Sequence, residues 1–275
     1  MEIQVSNLKV KFTSPAGEVE AVKGVSFRLG QEKLGIVGES GSGKSLTARS
    51  ILKLLPKQAR MSADALTFDG IDIQRAGEAQ MQLIRGKRAG LIMQDPKYSL
   101  NPVMSVGAQI AETWRAHRGG GRKESMEAAF DLLDLVKIGD PRRVAAAYPM
   151  ELSGGMGQRV MIAMMLAPDP EMLIADEPTS ALDVSVQADI LRLLEGLVAE
   201  RGMALLLISH DLPLVARFCD RVMVMYAGRV VEELKASELT LARHPYTRGL
   251  LECMPSLARP QARLKTLERS AAWSE

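Results

Sequence analysis

Apolar and polar positions alternate in "IQVSNLKVKF" and again in "AVKGVSFRL", the spacing of strands that bury one face. "KLGIVG" is a short apolar run closed by glycine, and "SLTARSILKLL" behind it switches to helical spacing. "ALTFDGIDI" predicts a hairpin turning at Asp69-Gly70, and "GLIMQ" a further buried strand. From Val106 to Leu166 the pattern is mainly helical, broken at "RGGGR", Arg118 to Arg122. That break reads as a solvent loop, because no strand precedes it and no Lys-Ser pair follows. "EMLIADE", "ALLLISHD" and "RVMVMYAGRVVEE" predict three more apolar strands, with "DVSVQADILRLLEGLVAERG" as a helix between the first two. From about Ala236 the chain turns polar and is punctuated by proline, as an appended tail would be. Strands alternating with helices predict an α/β fold whose parallel sheet is covered on both faces.

A chain of 275 residues is long enough for one large domain, or a domain with a subdomain, around a substantial core. The formal charge of +2 is too small to point to a nucleic-acid partner. Cys219 and Cys253 are far apart and form no CxxC pair, so neither a disulfide framework nor a metal cluster is expected, and both read as buried or inert thiols. The charged, alternating start "MEIQVSNLKVKF" is no signal peptide. No apolar run approaches the roughly 20 residues that span a bilayer, and "MALLLI" reads as a buried strand. The expectation is a cytosolic chain that reaches a membrane only through a partner.

The strongest chemical signal is "GESGSGKS", Gly38 to Ser45, which matches G-x-x-x-x-G-K-[ST]. It follows the strand "LGIV" and opens a helix, the context that makes such a pattern a phosphate-binding loop. There the glycines let backbone N–H groups wrap phosphates, Lys44 adds a positive charge, and the Ser45 hydroxyl can bind Mg²⁺. "MLIADE" places Asp176 and Glu177 where an apolar strand ends, at the sheet edge that binds ligands in open α/β folds. Asp176 can serve Mg²⁺ directly or through water, and Glu177 can orient or deprotonate an attacking water. His210 ends another buried strand; a lone histidine is more often structural than catalytic. In "LSGGMGQRV", Ser153, Gly154 and Gly155 precede a helical run and build a second small anion site from N–H groups.

Together these pieces resemble the ATP-binding cassette (ABC) ATPases over roughly residues 1–235. "GESGSGKS" resembles the Walker A loop, "MLIADE" the Walker B strand, and Gln94 in "IMQDP" the Q-loop glutamine. "SALD", Ser180 to Asp183, resembles the D-loop, His210 the switch histidine, and "LSGGM" the family signature. The resemblance implies a P-loop ATPase core with an antiparallel β subdomain and a helical arm at about residues 86–160. It implies a nucleotide site of Gly38, Glu39, Ser40, Gly41, Ser42, Gly43, Lys44, Ser45 and Leu46, with Gln94. Mg²⁺ would be held by Ser45, Gln94 and Asp176, and Glu177 and His210 would be catalytic. The family stacks adenine on an aromatic near the first strand; Phe12 is the best match, with core packing as the competing reading. Two such domains, this chain and either a second copy of it or a paralogue, pack head to tail, so Ser153, Gly154 and Gly155 would hold the γ-phosphate of a partner's ATP, and Asp183 would communicate across the dimer. The second anion site then belongs to the dimer.

A narrower resemblance is to the ATPase subunits of peptide/nickel/opine importers, carried by "MQDPKYSLNPVMSVGAQIAE" (93–112) and "HPYTRGLLECMPSL" (244–257). It implies two transmembrane permease subunits, indirect service to an extracytoplasmic solute-binding protein, and a peripheral place on the cytoplasmic face of the membrane. Residues 236–275 would be the C-terminal extension; many relatives carry an iron–sulfur motif there, but with Cys253 alone no cluster is expected. The 95–102 loop would touch the membrane subunit, with Tyr98 and Leu100 as its exposed apolar contacts. Gly157 departs from the family, which more often has a long polar side chain there, and costs about 1 kcal/mol in a helix interior. An ABC subunit of a soluble enzyme complex, such as a carbon–phosphorus lyase system, is the alternative. A DNA-associated ABC ATPase is disfavoured by the low net charge and the lack of a long coiled-coil insertion.

Overall fold

The computed structural model describes residues 1–14, 17–253 and 273. They form two compact units: Met1–Ala76 with the described residues from Leu206 onward, and Gly77–Leu205.

The first unit opens with β1 (Ile3–Ser14) and β2 (Gly17–Leu29), paired antiparallel. Their alternation is not a simple period of two: β1 buries Ile3 and Val5, then Leu8 and Val10. The extra step falls at Asn7, which is left-handed (φ 50°), its N–H donated to Ser26 Oγ at 2.8 Å. A bulge there adds one residue without turning the apolar set outward. β3 (Lys33–Val37) is short and almost wholly buried, and it feeds α1 (Lys44–Ile51). The apolar spacing "SLTARSILKLL" predicts a longer helix than is found. Lys53 turns left-handed (φ 53°) and Leu54 N–H donates to Arg49 O at 2.9 Å, so the helix closes with Pro56 just beyond. β4 (Ala59–Ser62) and β5 (Ala65–Phe68) pair antiparallel with β1, and β6 (Ile71–Asp72) pairs with β5. Asp69 and Gly70, both left-handed (φ 44° and 79°), make the hairpin turn that the sequence predicts.

The second unit begins with α2 (Glu78–Ile84) and β7 (Ala89–Ile92). A 3-10 turn at Pro96–Tyr98 leads to α3 (Val106–Arg118), α4 (Arg122–Leu135) and α5 (Pro141–Ala146), with the glycine break at 119–121 falling between α3 and α4. α6 (Gly154–Leu166) leads to β8 (Met172–Asp176), which runs parallel to β7 in the register Ala89↔Met172 to Ile92↔Ala175. α7 (Val184–Arg201) ends at Gly202 in a left-handed cap (φ 60°).

The chain crosses back into the first unit within β9 (Ala204–Ser209), continuing through α8 (Leu212–Phe218), β10 (Arg221–Tyr226) and β11 (Arg229–Lys235). The order in this unit is β11-β10-β3-β9, with β10 parallel to β3. "RVMVMYAGRVVEE", predicted as one strand, is two: β10 and β11 form an antiparallel hairpin turning at Ala227 and Gly228 (φ 48° and 89°). A 3-10 turn at Ala236–Leu241 and helix α9 (Pro245–Glu252) follow. Expected as an appended tail, this stretch buries Tyr246 and Thr247 completely. Residues 254–257 of the importer-like segment lie outside the described residues.

Candidate functional site

In the first unit β3 delivers its buried end, Ile36 and Val37, straight into the phosphate loop. Gly38 takes φ 154°, and a Cβ there would lie 2.2 Å from Met225 O, so no side chain fits. Left-handed Gly41 and Gly43 (φ 81° and 94°) curl the loop into the kind of concave N–H nest that receives anions. Lys44 is 5% exposed, and its Nζ donates to Gly38 O at 2.8 Å and Glu39 O at 2.9 Å. The ammonium is therefore already aimed along the inside of the loop. Ser42 Oγ is buried there with no hydrogen-bond partner among the described residues. An orphaned hydroxyl inside a glycine nest is an arrangement that an anion with its associated water would complete. Ser40 tops the loop, exposed, while Ser45 and Leu46 lie in the first turn of α1.

His210 follows the wholly buried β9 and is exposed. Its backbone is set by two local bonds: Asp211 N–H to Ser209 Oγ at 3.0 Å, and Leu214 N–H to Asp211 Oδ1, also 3.0 Å, which caps α8. Val37, Gly38, Glu39, His210 and α9 residues Leu250 and Cys253 border one cavity of about 470 Å³. The structure thus brings His210 and the start of the loop to the same opening. Phe12 is half-buried on β1, paired with Val19 and Ala59, and is not a core residue.

In the second unit β7 and β8 end side by side, Ile92 opposite Ala175. Gln94, exposed, therefore leaves the same edge as Asp176 and Glu177. Asp176 is 3% exposed. Glu177 is left-handed (φ 48°), a conformation that costs a non-glycine residue about 1–3 kcal/mol and that concentrates at functional sites. Its carbonyl accepts from the N–H and hydroxyl of Ser180, and Gln187 Nε2 donates to the carbonyls of Thr179 and Leu182. These bonds over-determine the turn and hold the strained backbone. Asp183 occupies the N-cap position of α7 without a capping bond, its side chain exposed.

Ser153 caps α6, its Oγ accepting Met156 N–H at 3.3 Å, and Ser153 and Gly154 are exposed. A Cβ on Gly155 would come within 2.6 Å of Val186 in α7, so glycine lets the two helices approach. Gly157 lies inside an unbroken helix, with Pro96 of the 3-10 turn 3.3 Å from where its Cβ would be. Glycine there leaves room for the close approach of the segment after Gln94. That segment is also tied to α3, where buried Gln109 accepts Asn101 N–H at 2.8 Å and donates to the carbonyls of Asn101 and Met104.

One expectation is corrected. Leu100 is 5% exposed, because the turn begun by Pro96 accepts Leu100 N–H at 2.9 Å and directs the side chain inward. The exposed apolar residues of this stretch are Tyr98 (86%) and Val103 (79%). Cys219 is buried, and its burial, reinforced by Asp220 and opposed by Lys33, pushes the thiol up to about 12. Cys253 is only partly buried and borders the cavity beside the loop. The sequence reading also missed Tyr246, whose hydroxyl accepts the Glu39 N–H at 3.1 Å. The available signal was an aromatic directly after His-Pro, a helix-start pattern.

Residues 22–180 match the ABC transporter family model. The chain is 49% identical to a probable peptide ABC transporter ATP-binding protein of Sinorhizobium fredii, over 94% of this chain and 78% of that one. It is 46% identical to a dipeptide transport ATP-binding protein of Escherichia coli, over 96% and 82%. A dimeric ATP-binding cassette in a post-hydrolysis state with ADP and Pi superposes with TM-score 0.76 at 27% identity, over 85% of this chain and 98% of that one. No helix of the described residues is long and apolar enough to cross a membrane.

Proposed function

Because the chain belongs to the ABC transporter family, we propose that it is the ATP-hydrolysing subunit of a peptide importer, working in a head-to-tail nucleotide-bound dimer. The observation that carries the dimer is the pairing of a formed phosphate loop with a second, exposed anion cap at Ser153. One ATP needs a single P-loop, so the exposed cap serves the nucleotide of another chain. Peptide is the solute class in the names of the relatives, and those names weigh against the soluble-enzyme alternative.

Gly38 to Leu46 wrap the phosphates, with Lys44 exchanging its loop carbonyls for phosphate oxygens and Phe12 stacking on adenine. Ser45, Gln94 and Asp176 would be the Mg²⁺ ligands, offering hydroxyl, amide and carboxylate oxygens, the hard donor set that Mg²⁺ prefers. Mg²⁺ held there would supply positive charge to offset the negative charge of the phosphates. Glu177 orients a water for in-line attack on the γ-phosphorus and takes its proton as the bond to the bridging oxygen breaks. His210 contacts the γ-phosphate and registers its loss. Ser153, Gly154 and Gly155 direct N–H groups and the positive end of α6 at the partner's γ-phosphate. Hydrolysis removes the charge that this helix end holds, and the dimer opens. Asp183 connects the two sites. Two permease subunits, fed by an extracytoplasmic binding protein, convert that opening into transport, with this chain on the cytoplasmic face.

The test is reconstitution in liposomes with candidate permease subunits. The expected result is ATP-dependent peptide uptake and peptide-stimulated ATPase. Association with a soluble enzyme and none with any permease would instead select the alternative.

A further inference from the structure

We propose that Tyr246 is a positioning residue for the phosphate loop, through which α9 sets the resting geometry of Lys44. The inference rests on the reading of Gly38–Ser45 as the ATP phosphate site and gives the C-terminal extension a role in it. Glu39 is held by both polar groups of its backbone. Its N–H donates to Tyr246 Oη at 3.1 Å from outside the loop, and its carbonyl accepts Lys44 Nζ at 2.9 Å from inside. The carbonyl that parks the Lys44 ammonium is therefore located by a residue 207 positions along the chain.

Tyr246 is itself firmly placed. Its ring is fully buried and packs on Tyr226 with centroids 4.5 Å apart. Tyr226 ends β10 just before the turn whose Gly228 N–H donates to Ser42 O at 3.2 Å. The loop is thus fixed at Glu39 and at Ser42 by neighbouring elements of one cluster. On the other side, Pro245 occupies the first position of α9, and His244 caps it by accepting Tyr246 N–H at 3.2 Å through Nδ1. The Glu232 carboxylate of β11 accepts the N–H groups of Arg243 and His244, anchoring the approach to the helix. Burial alone would raise that carboxyl. The Thr247 hydroxyl beside it, those two N–H donors and the His244 side chain outweigh burial and hold it below the usual carboxylate range. Donors and acceptors therefore connect β11, the α9 cap and Tyr246 to the phosphate loop.

A phosphate site whose loop is ordered before the ligand arrives loses less conformational freedom on binding. Removing the Tyr246 hydroxyl should weaken nucleotide binding and leave chemistry intact, because bound phosphates restore the loop geometry. Tyr246→Phe keeps the ring and deletes only the hydroxyl. Its dissociation constants for ATP and ADP, read by calorimetry, should rise about 3–10-fold over wild type. The same rise should appear in KM, with kcat at saturating ATP within about twofold, and Tm should fall by no more than about 3 °C. A residue that only fills the core would move Tm without this split between KM and kcat. A second measurement needs no nucleotide: amide hydrogen exchange of residues 38–43 should accelerate about tenfold or more in the variant, well below its unfolding temperature. Unchanged nucleotide affinity, or unchanged exchange in that segment, overturns the assignment. Failure of the wild type to bind ATP would overturn the site reading and this inference together.

Discussion

In the proposed function, Glu177 carries the activation of the attacking water. Its left-handed backbone, a departure from strand geometry just past the end of β8, is held by Ser180 and by the Gln187 clamp on the following turn. Glu177→Gln keeps size and backbone and removes the base. Steady-state hydrolysis should fall by about 100-fold or more, while ATP affinity stays within about threefold and an ATP-dependent dimer accumulates in light scattering. Turnover close to wild type would reject Glu177 as the group that activates water. Lys44→Ala should differ by losing affinity as well as rate. The carboxylates, the lysine and the glycine loop were legible in the sequence because each belongs to a short local pattern. Tyr246 was not legible as a partner of the loop, since its contact spans 207 positions and only the folded chain brings the ends together.

At the scale of elements, the stretch after Gln94 links what the sequence treated separately. Pro96 packs against Gly157 of the signature helix, and Asn101 is pinned to α3 by Gln109. A short segment seated on the signature helix at one end and on α3 at the other suits the transmission of movement between nucleotide and partner. Leu100 belongs to the core, so the residues free to meet a membrane subunit are Tyr98 and Val103. The double change Tyr98→Ser, Val103→Ser should leave basal ATPase of the isolated protein within about twofold, as surface substitutions usually do. In liposomes with the permease, peptide-stimulated ATPase and uptake should both fall about tenfold or more. Unchanged uptake would remove this segment from the coupling path. Period and composition sufficed for most elements here, but not for facing: Leu100 and Tyr98 look alike in a polar loop until the turn at Pro96 fixes which one points inward. The hairpin of β10 and β11 escaped prediction for a related reason. Its turn places Ala227, not Asn or Asp, at a left-handed position, so the usual hairpin signature was missing.

For the whole molecule, the proposed function assigns one chain two anion sites of different kinds. The phosphate loop buries Lys44 and already engages its ammonium, whereas the Ser153 cap opens α6 toward solvent. The central claim is that these two belong to different chains within each working site. Mixing chains tests it most directly. A Ser153→Arg chain retains its P-loop but loses its signature, and a Lys44→Ala chain has the opposite defect, so each is inactive alone. A mixed dimer contains one site built from the intact P-loop of the first and the intact signature of the second. ATPase measured at equal mixing, with mixed dimers verified by native mass, should recover to about a quarter of wild type, since random pairing makes half the dimers mixed with one good site in two. No recovery while mixed dimers are present would contradict the shared site.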